Sequence, residues 1–228
     1  MALPSLSNST RIHCLRHAEV DARWRDQIYG GLDVPLSEAG ERASAAQARA
    51  LADLELAAVV SSGLGRTEHM ARELRAARAL ERRDDARLVE ISRGTWAGTS
   101  IAELEAREPG AFARWLAHPK DARPPQGESL SDVAERAWPA LLELAREFPA
   151  AELAVVSHLW VLRSLLCRVL ELDLDRAASL ELPYATHFAI DLPLSDAHRP
   201  VLAGLAMRAG AHGCPGRGSS WQRGPHRT

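Results

Sequence analysis

Cysteine is scarce and badly placed for cross-linking. The chain has three in 228 residues, Cys14, Cys167 and Cys214, with no Cys-x-x-Cys pair. An odd, dispersed set argues against both a disulfide framework and a cysteine zinc site. A surplus of either charge is also missing. With 28 Lys and Arg against 30 Asp and Glu the formal net charge is −2, so no global basic field draws nucleic acid or an anionic membrane, and any affinity for anions must be local. No uncharged apolar run approaches the roughly 18 residues of a membrane span. The opening residues 1–10 lack the basic region and apolar core of a secretory signal, so a cytoplasmic location is expected. No internal repeat is evident. What the chain does have is 46% apolar residues, enough for the core of one substantial domain.

After a polar leader, read as flexible over residues 1–10, short β-branched runs alternate with longer helical patterns. That order predicts an α/β fold, a three-layer α/β/α arrangement with a mostly parallel sheet. Strands are expected at 11–15, 57–61, 153–157 and 187–192. Ser37 can cap an Ala-rich helix running to about Leu51, and a second helix is expected over 65–79. The charged stretch 82–87 reads as a solvated connection, with a brief extended piece, Leu88-Val89-Glu90, behind it. A small helical insertion over the active site is expected at about 95–128, with helical pieces at 101–108 and 111–116 and then a Pro-rich loop. Ser129 caps the next helix, where Leu130, Val133, Ala137, Leu141 and Leu144 take core spacing and Pro139 is predicted to bend it. An apolar helix at 160–170 follows the third strand. Residues 206–228, rich in Gly, Arg, Ser and His, read as a disordered tail, which leaves 11–205 as the domain. His212, Cys214 and His226 lie in that tail, where a metal site is the less favoured reading.

The first strand ends on Arg16-His17. A guanidinium that never titrates near neutrality suits a phosphoryl group, and a largely neutral imidazole can attack one. Alone, the pair reads first as a strand end with two solvated side chains. Val155-Val156-Ser157-His158 repeats the pattern, an apolar strand closing on a histidine before a helix. Parallel strands would bring His17 and His158 to one carboxyl edge, where open α/β folds gather ligands. The N–H groups of Leu159 and Trp160 would open the following helix and could meet an anion. Val59 to Thr67 is strand, flexible turn and helix start; it offers Arg66 as a second fixed cation at that edge, or simply an exposed helix arginine. A carboxyl at Glu90 could protonate a leaving alkoxide and later deprotonate water, although by itself it is one of many surface carboxylates.

Taken together, these residues resemble the histidine phosphatase superfamily, the phosphoglycerate mutase-like fold. Its opening Arg-His-Gly-Glu is matched by Arg16-His17-Ala18-Glu19. The match continues through Gly30, Asp33, Pro35, Leu36, Ser37 and Gly40, then Ser61-Ser62 and Arg66. Glu90 with Gly94-x-Trp96-x-Gly98 follows, then Pro125-x-Gly127-Glu128-Ser129 and Val156-Ser157-His158, all in order over about 11–192. The resemblance implies a phosphatase that needs no metal or other cofactor and acts on a small phosphorylated metabolite. In it His17 becomes phosphohistidine, Arg16, Arg66 and His158 surround the phosphoryl group, and Glu90 serves as acid and base. Phosphoryl transfer asks mainly for alignment and charge neutralisation, which such a set supplies. The second nitrogen of His17 should donate to a carbonyl that fixes the attacking tautomer.

The chain also departs from the family pattern. Ala18 stands for a glycine, Gly63 for a common proline, Met70 for a common threonine, and Leu159-Trp160 for a Gly-Gly pair. Arg23 stands where many relatives carry an asparagine that touches phosphate, so it is expected to add charge at the phosphate or to reach a second anionic group. Trp160 is expected either to stack on substrate or to pack beneath its helix. Arg93, Trp96 and Trp115 are further candidates for substrate contact, with core packing an equal alternative for the tryptophans. The short segment from Glu90 to His158 favours a phosphatase over a phosphoglycerate-type mutase, and a catalytically silent phosphate- or protein-binding relative is the third reading. The Gly94 and Gly127 motifs resemble those of small-metabolite phosphatases such as the α-ribazole phosphatases. The apolar helix after His158 and the aromatic insertion suit a homodimer interface or the core, and composition does not choose between them.

Overall fold

The β-branched runs pair as expected, and their neighbours enlarge the sheet. A computed structural model describes residues 8–76, 78–195 and 198–206. In chain order its elements are β1 (Ser9–Arg16), β2 (Gln27–Ile28), α1 (Glu38–Ala50), β3 (Leu56–Ser61), α2 (Gly65–Ala76), β4 (Arg83–Asp84) and β5 (Thr99–Ser100). There follow α3 (Ile101–Arg107), α4 (Ala111–Ala117), α5 (Leu130–Glu147), β6 (Glu152–Ser157), α6 (Leu159–Val169), β7 (His187–Pro193) and β8 (Val201–Ala206). The main sheet has the order β4-β3-β6-β1-β7-β8, and β2 with β5 forms a separate two-stranded ribbon. β4, β3, β6 and β1 run parallel, and β7 and β8 are added antiparallel.

Alternation along the strands divides the core into two layers. Ile12 and Cys14 of β1, Leu153 and Val155 of β6, and Phe188 and Ile190 of β7 meet α5 and α6 on one face. Leu15, Val59, Ala154 and Val156 meet Met70, Ala71 and Leu74 of α2 and Ala48 of α1 on the other. This is the expected three-layer α/β/α arrangement. α1 starts where Ser37 accepts from the Gly40 N–H, and α5 where Ser129 and Asp132 form a reciprocal capping box. Such a cap contributes about 1 kcal/mol. α5 continues through Pro139 as one element. No helix among the described residues is long and apolar enough to cross a membrane.

Four readings change. The polar leader ends earlier, because Thr10 lies inside β1, fully buried, and donates to Phe148 O at 2.8 Å; residues 1–7 are outside the described region. The charged stretch 82–87 contains an edge strand, β4, since Arg83 and Asp84 find partners in Glu147 and Ser61. Leu88 is not extended but closes a 3-10 turn, Ala86–Leu88, capped by Asp85. β8 was not foreseen, and it takes in Ala206, the first residue read as tail. The rest of the tail, with His212, Cys214 and His226, lies outside the described residues.

Register fixes the functional edge. Arg16 lies opposite Ser157, and Ser61 opposite Val156. The residues that follow these strands, His17, His158 and Ser62, therefore emerge together at the carboxyl ends of β1, β6 and β3.

Candidate active site

His17 leaves β1 with its N–H on Ser157 O and its ring almost wholly buried. Its Nδ1 lies 2.8 Å from the carbonyl of Ala18. A carbonyl only accepts, so the proton sits on Nδ1 and the Nε2 lone pair is left for a reaction. The accepting carbonyl expected from sequence is thus the next residue's own. Burial, and then the fields of Arg16 and Arg66, hold the His17 pKa well below the ordinary histidine value, the Ala18 bond opposing them weakly.

His158 caps α6, and its ring centroid stands 5.2 Å from that of His17. Nδ1 accepts from Arg66 Nε at 3.3 Å, so Nε2 carries the proton and donates to Ser62 Oγ at 2.8 Å. Burial, followed by Arg66 and His17, keeps this ring neutral as well. Ser62 is itself held by Thr67 Oγ1 at 2.8 Å.

Arg66, in the first turn of α2, is fully buried rather than exposed. Its guanidinium donates to Leu32 O and to Gly30 O as well as to His158. Gly30, at φ +45°, has to be glycine: a Cβ there would lie 2.6 Å from Ile91 O and 2.7 Å from Arg93 Cγ. Arg16 donates to Leu182 O and lies 4.2 Å over the Tyr184 ring, and its Nε is buried without a partner among the described residues.

Glu90 faces this set from the loop after the 3-10 turn, anchored by the Ser157 Oγ bond to Leu88 O. It accepts from the Ile91 N–H at 2.9 Å and from the Trp160 N–H at 3.2 Å. The N–H of Trp160 that could have met an anion therefore holds the carboxylate instead. Leu159 opens α6 between His158 and Trp160, with its side chain against the core.

Arg23 is not brought to the site. Its side chain is 68% exposed and paired with Asp21 at 3.5 Å. The short 3-10 turn Ala22–Trp24 is fastened by Asp21 and turns the side chain to solvent. For Trp160 and Trp115 packing wins: both are buried, edge to face, with centroids 4.6 Å apart. Trp96 is buried in the 3-10 turn Gly94–Trp96. Arg93 is buried too, its guanidinium 3.8 Å over Trp115. Glu19, part of the opening motif, turns out to be structural, accepting from Ser37 Oγ and Arg25.

Sequence reasoning missed Tyr29 and Tyr184, the only two tyrosines in the chain. Tyr184 lies 5.7 Å from the His17 ring, its hydroxyl 3.4 Å from that of Tyr29, and Tyr29 lies under Arg66. Tyr29 immediately precedes the Gly30 of a motif already singled out, which was the available signal; nothing local marks Tyr184. Arg163 and Ser62 were also missed as site residues. Among the described residues no cluster of three or more His, Cys, Asp or Glu could hold a metal.

The comparisons agree with this geometry. The sequence pattern of the histidine phosphatase superfamily (branch 1) matches residues 12–196. The chain is 32% identical over 178 residues to phosphoserine phosphatase 1 of Hydrogenobacter thermophilus, spanning 78% of this chain and 84% of that protein. It is 36% identical over 141 residues to glucosyl-3-phosphoglycerate phosphatase of Mycobacterium tuberculosis, spanning 61% and 62%. The solved structure of a mycobacterial glucosyl-3-phosphoglycerate phosphatase superposes with a TM-score of 0.75 at 29% identity, covering 80% of this chain and 90% of that one. With the motif residues assembled at one sheet edge and the family pattern running through nearly the whole described domain, the chain belongs to the histidine phosphatase superfamily, branch 1, as a phosphoric monoester hydrolase.

Proposed function

We propose that this hydrolase removes the phosphoryl group from a small phosphorylated metabolite through a phosphohistidine at His17. The observation that carries the reading is the tautomer: Nδ1 is tied to the Ala18 carbonyl, so a neutral Nε2 is available beside two arginines. In the first step Nε2 attacks phosphorus, the bond to the ester oxygen breaks, and Glu90 gives that oxygen a proton. In the second, water passes a proton to the Glu90 carboxylate and attacks phosphorus. The P–N bond then breaks, releasing phosphate and restoring neutral His17. Arg16 and Arg66 neutralise the non-bridging oxygens, and the neutral His158, held by Ser62, orients Arg66. A cytoplasmic place of work is supported by the free buried thiols of Cys14 and Cys167.

The motifs that suggest an α-ribazole ester have framework roles. A Cβ on Gly94 would lie 2.0 Å from Pro125 O, and one on Gly127 2.7 Å from Ser92 O. Glu128 accepts from the Ser92 N–H and from Arg136, and Ser129 caps α5. They shape the loop that carries Glu90, so the leaving group is read elsewhere, and an α-ribazole ester belongs among the substrates to be screened.

The test is hydrolysis of p-nitrophenyl phosphate with a chelator present, for the wild type and His17→Ala. Activity that survives the chelator and vanishes in the variant is expected; an equally active variant overturns the mechanism. Incubation of 3-phosphoglycerate with a trace of the bisphosphate should yield no 2-phosphoglycerate. Appreciable isomerisation would replace the phosphatase with the mutase.

A further inference from the structure

Arg93 is the residue whose surroundings the reaction leaves unexplained. It is 6% exposed, and its Nη1 is buried with no hydrogen-bond partner among the described residues. Its stem lies against Gly30, whose carbonyl accepts from Arg66, so Gly30 alone separates it from the phosphate arginine. The guanidinium stacks 3.8 Å over Trp115 and 5.5 Å from the Trp160 ring centre. Stacking satisfies the face of a guanidinium and leaves its N–H edge free, the edge that matches a carboxylate. The carboxylate whose field reaches Arg93 is Glu90, yet the two form no ion pair among the described residues, and Glu90 Oε1 accepts instead from the Ile91 and Trp160 N–H groups. Arg163 lies 4.6 Å over the Trp160 ring and donates to Leu180 O and Ala178 O, adding a second positive field without an ion pair among the described residues. Burial pulls both arginines down to about 10. A buried guanidinium with no ion partner is costly unless something supplies the anion.

We propose that Arg93, stacked on Trp115, binds a carboxylate on the leaving group, so that the preferred substrates are phosphomonoesters of small hydroxy acids or amino acids. The inference rests on the phosphatase reading above and adds the other end of the substrate to it. Arg163 supports the subsite through its field. Arg93 touches substrate only through this remote group, so its contribution is to capture and orientation rather than to bond breaking.

Two substrate pairs that differ at the carboxylate test it: 3-phosphoglycerate against glycerol 3-phosphate, and O-phosphoserine against O-phosphoethanolamine. In the wild type the acid of at least one pair should have kcat/KM ten- to a hundredfold above its partner, the range of a charge-assisted bond. Arg93→Met keeps an apolar stem on Trp115, and it should collapse that preference to within about threefold, chiefly through KM. Arg93→Lys, keeping the charge but not the fork, should fall between. No preference in either pair, or a preference that survives Arg93→Met, overturns the subsite. Hydrolysis of p-nitrophenyl phosphate by the wild type separates the two claims. If it is absent, the phosphatase reading has failed, and calorimetric binding of the same pairs to wild type and Arg93→Met decides the subsite alone.

Discussion

A nucleophilic His17 must be neutral, and that requirement has a thermodynamic signature that can be read without substrate. In the folded protein burial and two arginines hold its pKa well below the ordinary value, and burial with Arg66 does the same for His158. In the unfolded chain both titrate near 6.5. Below that pH the unfolded state therefore binds more protons than the folded one. Stability is fully present above about 6.5 and is lost as pH falls toward the depressed folded values. The slope in that window is at most about 1.4 kcal/mol per pH unit for each ring, or about 2.7 for the pair. That is a large share of a total near 5–15 kcal/mol. His13 and His187 also have lowered values, His187 at about 4, so the wild-type slope is steeper still. Replacing His17 by Gln removes one titration and leaves the others in place. Urea unfolding from pH 7.5 to 4.5 should show the His17→Gln curve flatter than the wild type by about 1.4 kcal/mol per unit below pH 6. Carboxylates that titrate at the acid end of the window are common to both proteins and cancel in the difference. Parallel curves would show that His17 is not held neutral by the fold, and the nucleophile assignment would lose its physical basis.

Other expected outcomes follow from particular contacts. Glu90→Gln keeps an oxygen for the Ile91 and Trp160 N–H groups but cannot move a proton. Hydrolysis of alkyl phosphates should drop about 100- to 10,000-fold and that of p-nitrophenyl phosphate much less in steady-state assays; equal losses would make Glu90 merely structural. Ser62→Ala removes the acceptor of His158 Nε2–H. It should cost about 1–3 kcal/mol of stability and, because Arg66 loses its brace, about tenfold in kcat. Ser62→Thr should recover both, and an unaffected Ser62→Ala enzyme would remove His158 orientation from the mechanism. Gly94→Ala forces φ +51° on a side chain whose Cβ would lie 2.0 Å from Pro125 O. A loss of about 3 kcal/mol or more, and so of roughly 6–12 °C in Tm, should appear by calorimetry. An unchanged melt would mean that the loop carrying Glu90 is not locked there.

What could be read in the sequence, and what could not, divides along a physical line. His17, His158 and Arg66 were legible because each follows an apolar strand, and parallel strands must deliver their carboxyl ends to one edge whatever the loops do; the register of Arg16 with Ser157 is the consequence. Arg23's direction was not legible, because its position in a motif says nothing about which way the side chain points; the structure turns it toward solvent beside Asp21. Trp160 could not be assigned to core or pocket until Trp115, 45 residues earlier, was placed against it. Tyr184 was invisible for the same reason, since it meets His17 only through the antiparallel return of β7, a long-range pairing with no local mark. Short-range pattern thus reports what the backbone delivers to an edge, and the far end of the substrate is read by side chains that only tertiary packing assembles. Arg93 belongs to that second class: in sequence it is one charge near Glu90, and only Trp115 and Gly30 give its guanidinium a direction. Substrate choice in this fold is therefore expected to change with the residues packed around Trp115 more than with the motif residues that hold the phosphate.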